Sequence, residues 1–146
     1  MGQQQLLLVI LVTVIVGIAT IVGINIFGSA AGNANIDAVR NDLVSIAAAS
    51  QRYYIKPAAV GGGGKTFDNM SWQKIGGIPG TVNSDGDLKN ENGVYAFKSA
   101  PAGQSFTVVA TPASESGNAS PQTIEITVCP DNAEMGKPGE TAPDCG

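Results

Sequence analysis

The sequence predicts an α+β protein. A long amino-terminal helix, apolar in its first half and amphipathic in its second, is expected to pack its second half on a small antiparallel β-sheet. Three observations predict this fold. Residues 6 to 27 form an uncharged apolar run, residues 36 to 55 carry apolar side chains at helical spacing, and residues from 93 onward alternate apolar and polar side chains. A chain of 146 residues so organised has room for one small globular domain.

The apolar run has the length of a membrane-spanning helix. About 20 apolar residues cross a hydrocarbon core of roughly 30 Å, so this segment needs a cover of lipid or of copies of itself. A cleaved signal peptide is the alternative, with Ser29, Ala30 and Ala31 as an acceptable cleavage site. The run is longer than a signal-peptide core, however, and no basic residue precedes it.

Small residues four apart within the run favour close helix–helix contact. The pairs are Thr13 with Gly17, Ala19 with Gly23, and Gly28 with Gly32. The side-chain amide of Asn25 is expected either to hydrogen-bond a partner or to lie at the level of the lipid headgroups.

The amphipathic half predicts a helix that lies on a sheet. Its apolar stripe comprises Ile36, Val39, Leu43, Ile46, Ala47, Ser50 and Tyr53, and its opposite face carries Asp37, Arg40, Asn41 and Gln51. Asn33 or Asn35 is expected to cap its start, and Pro57 with the glycines at 61 to 64 to end it. Residues 3 to about 55 then form one helix of roughly 80 Å, interrupted or softened where Gly23, Asn25, Gly28 and Gly32 lower helix propensity.

Residues 57 to 146 are expected to form the globular head, and residues 1 to 56 the helical region. Three antiparallel strands are predicted within residues 93 to 99, 104 to 112 and 122 to 130, and a strand within residues 80 to 89 would extend them. Residues 56 to 80 are interpreted as a loop over the sheet, whose glycine run is a hinge or a tight packing site. Phe67 and Trp72 are expected to pack there, with a binding platform as the alternative.

The two cysteines, Cys129 and Cys145, are interpreted as one disulfide, with free buried thiols as the alternative. Zinc is not expected, because the chain has no His and no further Cys. A disulfide indicates an oxidising compartment. The head is therefore expected outside the cytoplasm and the amino terminus inside.

Together these features resemble the type IV pilin superfamily, which includes type IV pilins, type II secretion pseudopilins and archaeal pilins. The resemblance rests on Gly2 followed by QQQLLLVILVTVIVGIATIVGINIF, the amphipathic helix to Tyr54, the β-rich remainder and the cysteine pair. It implies cleavage between Gly2 and Gln3 by a prepilin peptidase, and filament building by inner-membrane assembly machinery. The filament-core residues it implies are Leu6, Leu7, Leu8, Ile10, Leu11, Val14, Ile15, Gly17, Ile18, Ile21, Val22 and Gly23.

The sequence departs from the family at three points. Met1 alone precedes Gly2 where the family has a basic leader, Leu7 stands where the family has a glutamate, and no proline precedes Pro57. In the family that glutamate is thought to neutralise the terminal amine of a neighbouring subunit. Here Gln3 to Gln5 would bond the amine, or an uncleaved Met1 would keep it outside the packed zone.

Other chemistry is sparse. Asn83, Asp85 and Asp87 alternate as calcium ligands do, although a solvated turn is the favoured interpretation. Asn69 and Asn118 begin glycosylation sequons. Without His or a nucleophile beside a base, the chain is expected to be neither an enzyme nor a cofactor binder. A net charge of -4 with scattered basic residues argues against nucleic-acid binding.

The sequence therefore predicts a pilin: a structural subunit of an extracellular, homo-oligomeric type IV pilus-like filament on a prokaryotic cell surface, held in the membrane before assembly. Adhesion and surface motility are the expected roles. The alternative is a single-pass membrane-anchored or secreted extracellular binding module. A major pilin, a minor pilin and a pseudopilin share all of these features.

Overall fold

The computed structural model describes residues 2 to 113 and 122 to 145, and it confirms the predicted α+β fold class. Helix α1 runs from Gly2 to Ile55, a 3-10 turn covers Ala58–Val60, and a short helix, α2, covers Trp72–Ile75. The strands that follow are β1 Thr81–Val82, β2 Leu88–Lys89, β3 Gly93–Phe97, β4 Phe106–Pro112, β5 Ile124–Val128 and β6 Ala133–Met135.

Helix α1 is continuous over its 54 residues, so the interruption considered between Gly23 and Gly32 does not occur. The predicted cap at Asn33 or Asn35 is wrong, because the helix passes through both positions without a break. A weak helix former costs up to about 1 kcal/mol relative to alanine, and alanines interspersed at 30, 31 and 34 offset that cost. Asn35 makes a tertiary contact instead, since its Nδ2 donates to the backbone carbonyl of Asn92 at 3.0 Å.

The glycine run at 61 to 64 satisfies the last carbonyls of α1. The amide of Gly63 donates to the carbonyl of Tyr53 at 2.8 Å, and the amide of Lys65, just after the run, donates to the carbonyl of Tyr54 at 2.8 Å. A Cβ placed on Gly63 would lie 1.9 Å from the carbonyl oxygen of Thr66, so a side chain there has no room. Of the two predicted roles for this run, tight packing is the one observed.

The strands form one six-stranded antiparallel sheet in the order β1-β2-β3-β4-β5-β6. Strands β3, β4 and β5 are the three that the alternation predicts, in a register that places Val108 opposite Ile126. The β1–β2 hairpin lies within residues 80 to 89, where an extension was expected. Strand β6 was not predicted, because it lies in a Pro, Gly and Asp-rich stretch and pairs for only three residues with β5.

The core lies between the amphipathic part of α1 and the inner face of the sheet, chiefly β4 and β5. Ser50 is also buried, and its hydroxyl donates to the carbonyl of Ile46 at 2.8 Å, so no polar atom of that side chain is left unpaired. Burying one large aliphatic side chain contributes about 1.5–3 kcal/mol. The largest fully buried apolar side chains are Val39, Leu43, Ile46, Phe67, Tyr95, Val108, Ile124, Ile126 and Val128.

Residues 56 to 80 cover the sheet as expected, but they contain the 3-10 turn and α2 rather than loop throughout. Trp72 stacks on Phe97 with ring centroids 4.1 Å apart, and Phe67 packs on Tyr54 and Phe106 at 5.0 Å each. Because Phe67 and Trp72 are both buried, these rings are core packing and do not form an exposed platform.

The predicted disulfide joins Cys129 and Cys145, whose Cα atoms lie 6.0 Å apart. It holds the carboxyl-terminal segment against the end of β5. Gln51 also reaches this segment, because its Nε2 donates to the carbonyls of Cys129 at 3.2 Å and Asn132 at 3.1 Å. Gln51, which belongs to the polar face of α1, therefore makes a tertiary contact.

Candidate functional site: the protruding half of the helix

Helix α1 divides into a protruding half, residues 2 to 31, and a packed half, residues 32 to 55. Every residue of the protruding half is exposed except Gly23, which is half-buried. All the residues that the pilin resemblance places in a filament core lie in this half, from Leu6 to Gly23. Within the described chain, the head leaves this apolar surface uncovered.

The protruding half is apolar around its whole circumference, in contrast to the packed half with its single stripe. Leu6, Leu7 and Leu8 occupy three directions of one helical turn, and all are more than 60% exposed. Such a helix is normally buried on all sides, and this one is long and apolar enough to cross a membrane. Lipid or several neighbouring helices would cover it completely, whereas one flat partner would not.

The two threonines of the protruding half are hydrogen-bonded within the helix. Thr13 donates its hydroxyl to the carbonyl of Ile10, and Thr20 donates to that of Val16, both at 2.8 Å. Burying an unpaired hydroxyl costs about 1–3 kcal/mol in proteins. Because both hydroxyls already have acceptors, this surface can enter lipid or a helical bundle without that cost.

The small-residue pairs differ in whether a second helix can approach them. An added Cβ at Gly17 or Gly28 meets no described atom within 4 Å outside the local helix, so both surfaces are open to a second helix. Gly32 is buried against the head, which removes the pair of Gly28 and Gly32 as a helix–helix contact. Asn25 is exposed on one helix face with Ser29 and Asn33.

The proposed processing position lies at the start of α1. Gly2 is its first residue and Gln3 follows in helical conformation, both exposed, whereas Met1 lies outside the described residues. Leu7, where the family has a glutamate, is 69% exposed on the protruding half. Cleavage after Gly2 stays a prediction.

Asp42 organises a polar cluster that the sequence did not predict. Its Oδ2 accepts hydrogen bonds from the Nδ2 atoms of Asn90 and Asn92, both at 2.8 Å, and from the Tyr95 hydroxyl at 2.6 Å. Burial opposes ionisation of Asp42, but these bonds outweigh it and lower the pKa of the carboxyl below its usual value. Burial and the adjacent carboxylate raise the pKa of Tyr95. The cluster ties the β2–β3 connection to the packed half.

The candidate calcium ligands form the turn of the β1–β2 hairpin. The Oδ1 of Asn83 accepts the backbone amides of Asp85 at 3.0 Å and Asp87 at 2.8 Å, which is the bonding of an Asx turn. This oxygen is therefore already engaged by the backbone. Over residues 2 to 113 and 122 to 145, no group of three or more His, Cys, Asp or Glu side chains is placed to hold a metal ion.

Of the two glycosylation candidates, Asn69 is exposed and has a positive φ of 56°. Its backbone carbonyl accepts a hydrogen bond from Lys74 Nζ at 2.6 Å. Asn118 lies outside the described residues. Modification of both stays a prediction.

A long apolar helix laid over an antiparallel sheet, with a disulfide holding the carboxyl-terminal segment, is compatible with a pilin-like fold. A scan against protein-family models finds no match to the chain, and searches among curated proteins and among solved structures find none either.

Proposed function

We propose that this chain is the structural subunit of an extracellular helical filament of the type IV pilus kind, with the protruding half of α1 in the filament core. One observation carries the proposal: α1 runs without a break from a folded head into a half that is exposed and apolar on all sides. A rigid head joined to an uncovered apolar helix suits a subunit that packs many helices together and displays its heads outside.

The free energy of removing apolar surface from water favours complete burial of the protruding half. Apolar surface removed from water contributes about 25 cal/mol per Å², and the large side chains from Leu6 to Phe27 are mostly more than half exposed in the isolated chain. Before assembly the bilayer supplies the cover, with the amino terminus on the cytoplasmic side. After assembly, neighbouring copies supply it, and the threonines enter the core already hydrogen-bonded.

The pilin resemblance implies how the subunit would be processed and assembled. A prepilin peptidase would cleave between Gly2 and Gln3, and inner-membrane assembly machinery would extract the subunit into a filament on the surface of a prokaryotic cell. Adhesion or surface motility would be the role of the filament, and the subunit itself would be neither an enzyme nor a cofactor carrier. Intact mass of the assembled protein checks the cleavage, since loss of Met1 and Gly2 is the expected result.

Electron microscopy of sheared extracellular material tests the proposal. We expect filaments from the wild-type chain, and none from Ile18→Asp, which places a charge in the filament core. Val60→Asp is the matched control, because Ile18 and Val60 are both 60% exposed in the isolated chain but Val60 belongs to the head. Protein found only in membrane fractions, or only as a soluble secreted monomer, would replace the filament proposal with the alternative of an anchored or secreted binding module.

A further inference from the structure

The basic residues extend from Arg40 to Lys137, but their density along the head is uneven. Four of the eight Lys and Arg residues lie between residues 52 and 74, where Asp68 is the one acid, whereas the stretch between the cysteines carries four acids and one lysine. We call Arg52, Lys56 and Lys74 the basic patch. The acidic patch comprises Asp131 and Asp144, the two acids nearest to the cysteines in the sequence.

The basic patch surrounds one small cavity at the distal end of the head. Arg52 and Lys56 come from the last turns of α1, and Lys74 comes from α2; with Ala49, Tyr53 and Ile75 they line a cavity of about 170 Å³. All three cations are exposed. The ion pairs among the described residues join Arg40 to Asp37 and Lys98 to Glu125, so the patch has no anionic partner within that part of the chain.

The acidic patch is held in place by the disulfide. Asp131 follows Cys129 closely, and Asp144 directly precedes Cys145, so the covalent bond fixes both near the end of β5. Both carboxylates are exposed. Neither of them takes part in the two ion pairs of the described residues.

The two patches lie on opposite flanks of α1 at the same level along its axis. Gln51 marks the acidic flank, because it donates to the carbonyls of Cys129 and Asn132. The cavity-lining residues of α1, from Ala49 to Lys56, mark the basic flank. At 100° per residue, their mean direction lies about 150° from Gln51 around the helix. The stripe that faces the sheet, including Leu43 and Ser50, occupies the remaining side.

We infer that the basic patch of one copy binds the acidic patch of a neighbouring copy, so that heads join side by side; this inference depends on the proposed filament function. Two complementary surfaces at different places on one chain make a heterologous contact, which produces an open helical polymer when the rotation does not close a ring. The partner is a second copy because the same chain supplies both signs of charge. Such contacts orient the heads, whereas the protruding halves bury the apolar surface.

Charge reversal with copolymerisation tests this inference. Variant A carries Arg52→Glu and Lys56→Glu, and variant B carries Asp131→Lys and Asp144→Lys. Because each reversal turns attraction into repulsion between identical copies, we expect each variant alone to yield about tenfold less pelletable filament than the wild type, which corresponds to about 1.4 kcal/mol. Co-expression of A and B restores the yield to within about threefold, because junctions between an A copy and a B copy are again complementary when the two alternate.

The matched control is Arg40→Glu with Lys89→Glu, which changes the net charge as variant A does but lies outside the basic patch. It should leave the yield near the wild-type value. Circular dichroism of full-length variants in detergent verifies that the head is folded. Wild-type filaments should also dissociate more readily at about 0.5 M than at about 0.05 M salt, because salt screens exposed charge pairs.

Three results would overturn the inference. If A and B alone assemble as the wild type does, the patches are not a contact between copies, although the filament proposal stands. If A assembles normally but its filaments no longer bind anionic surfaces, the cations serve an external polyanion instead. If the wild-type chain forms no filament under any condition, the proposed function and this inference fail together.

Discussion

The two halves of α1 show that hydrophobicity alone does not decide what the monomer buries. The protruding half is the more apolar, yet it is exposed around its whole circumference, whereas the packed half carries charges and still buries Val39, Leu43 and Ile46 completely. The difference is the partner surface. A stripe on one side matches the inner face of the sheet, whereas a helix that is apolar all round has no such match in its own head.

The comparison assigns separate tasks to one continuous helix. The packed half stabilises the head, and we propose that the protruding half stabilises the assembly. The same substitution should therefore change different measurements according to the half in which it is made.

The largest effect is expected from a matched leucine pair. Leu43→Ala, at a fully buried position, should lower the free energy of unfolding by about 2–5 kcal/mol, because it removes core contacts and leaves a cavity. Leu11→Ala, at a position 60% exposed in the isolated chain, should change it by less than about 0.5 kcal/mol. Denaturation in detergent followed by Trp72 fluorescence measures both. Equal losses would contradict the division between the halves.

The next largest loss of stability is expected from removing the disulfide. Cys129→Ser with Cys145→Ser should lower head stability by about 3 kcal/mol, because the bond closes a loop of about 15 residues in the unfolded chain. The effect belongs to the head alone, so the variant should still insert into membranes as the wild type does. Loss of membrane insertion would show that the protruding half depends on the head.

Two glycine substitutions, one in each region, should differ by a smaller amount in their effect on head stability. Gly63→Ala should cost about 1–3 kcal/mol of head stability, because its Cβ would lie 1.9 Å from the carbonyl oxygen of Thr66. Gly17→Ala introduces a Cβ into open space and should leave head stability unchanged, while favouring the helix by up to about 1 kcal/mol. Thermal unfolding of the two variants in the same detergent compares them. A neutral Gly63→Ala would remove tight packing as the reason for this glycine.

The smallest expected effect concerns Asp42. Because its pKa is lowered in the folded head, its stabilising contribution is complete above the unfolded value near 4 and is lost as the pH falls through the folded pKa. Asp42→Asn should cost about 1 kcal/mol at neutral pH, since the site is partly exposed and screened. The free energy of unfolding of the variant should also lack the pH dependence that the Asp42 carboxylate causes below about pH 4 in the wild type. An unchanged acid profile would show that the three hydrogen bonds to this carboxylate contribute little.

The helix and central strands were predictable because periodicity reports which face is buried. Val39, Leu43 and Ile46 repeat at helical spacing, and Ile124, Ile126 and Val128 alternate. Strand β6 and α2 were missed because each is only three or four residues long and is held by neighbours rather than by its own pattern. Asp42 was missed because its partners are 48 to 53 residues away in the chain. The predicted cap at Asn33 or Asn35 was wrong because a capping residue does not start a new helix where the residues on both sides already continue one.

The central claim, that copies of the chain cover the protruding half, is tested most directly by cysteine accessibility in purified filaments. Ile15→Cys lies in the protruding half, and Ser84→Cys is a conservative exposed site in the β1–β2 hairpin. A water-soluble maleimide should label Ser84→Cys fully and Ile15→Cys less than about one-tenth as much, in filaments that contain no lipid or detergent, because apolar burial excludes water. Equal labelling of both sites, or protection of Ile15→Cys only in lipid-containing membranes, would contradict the account.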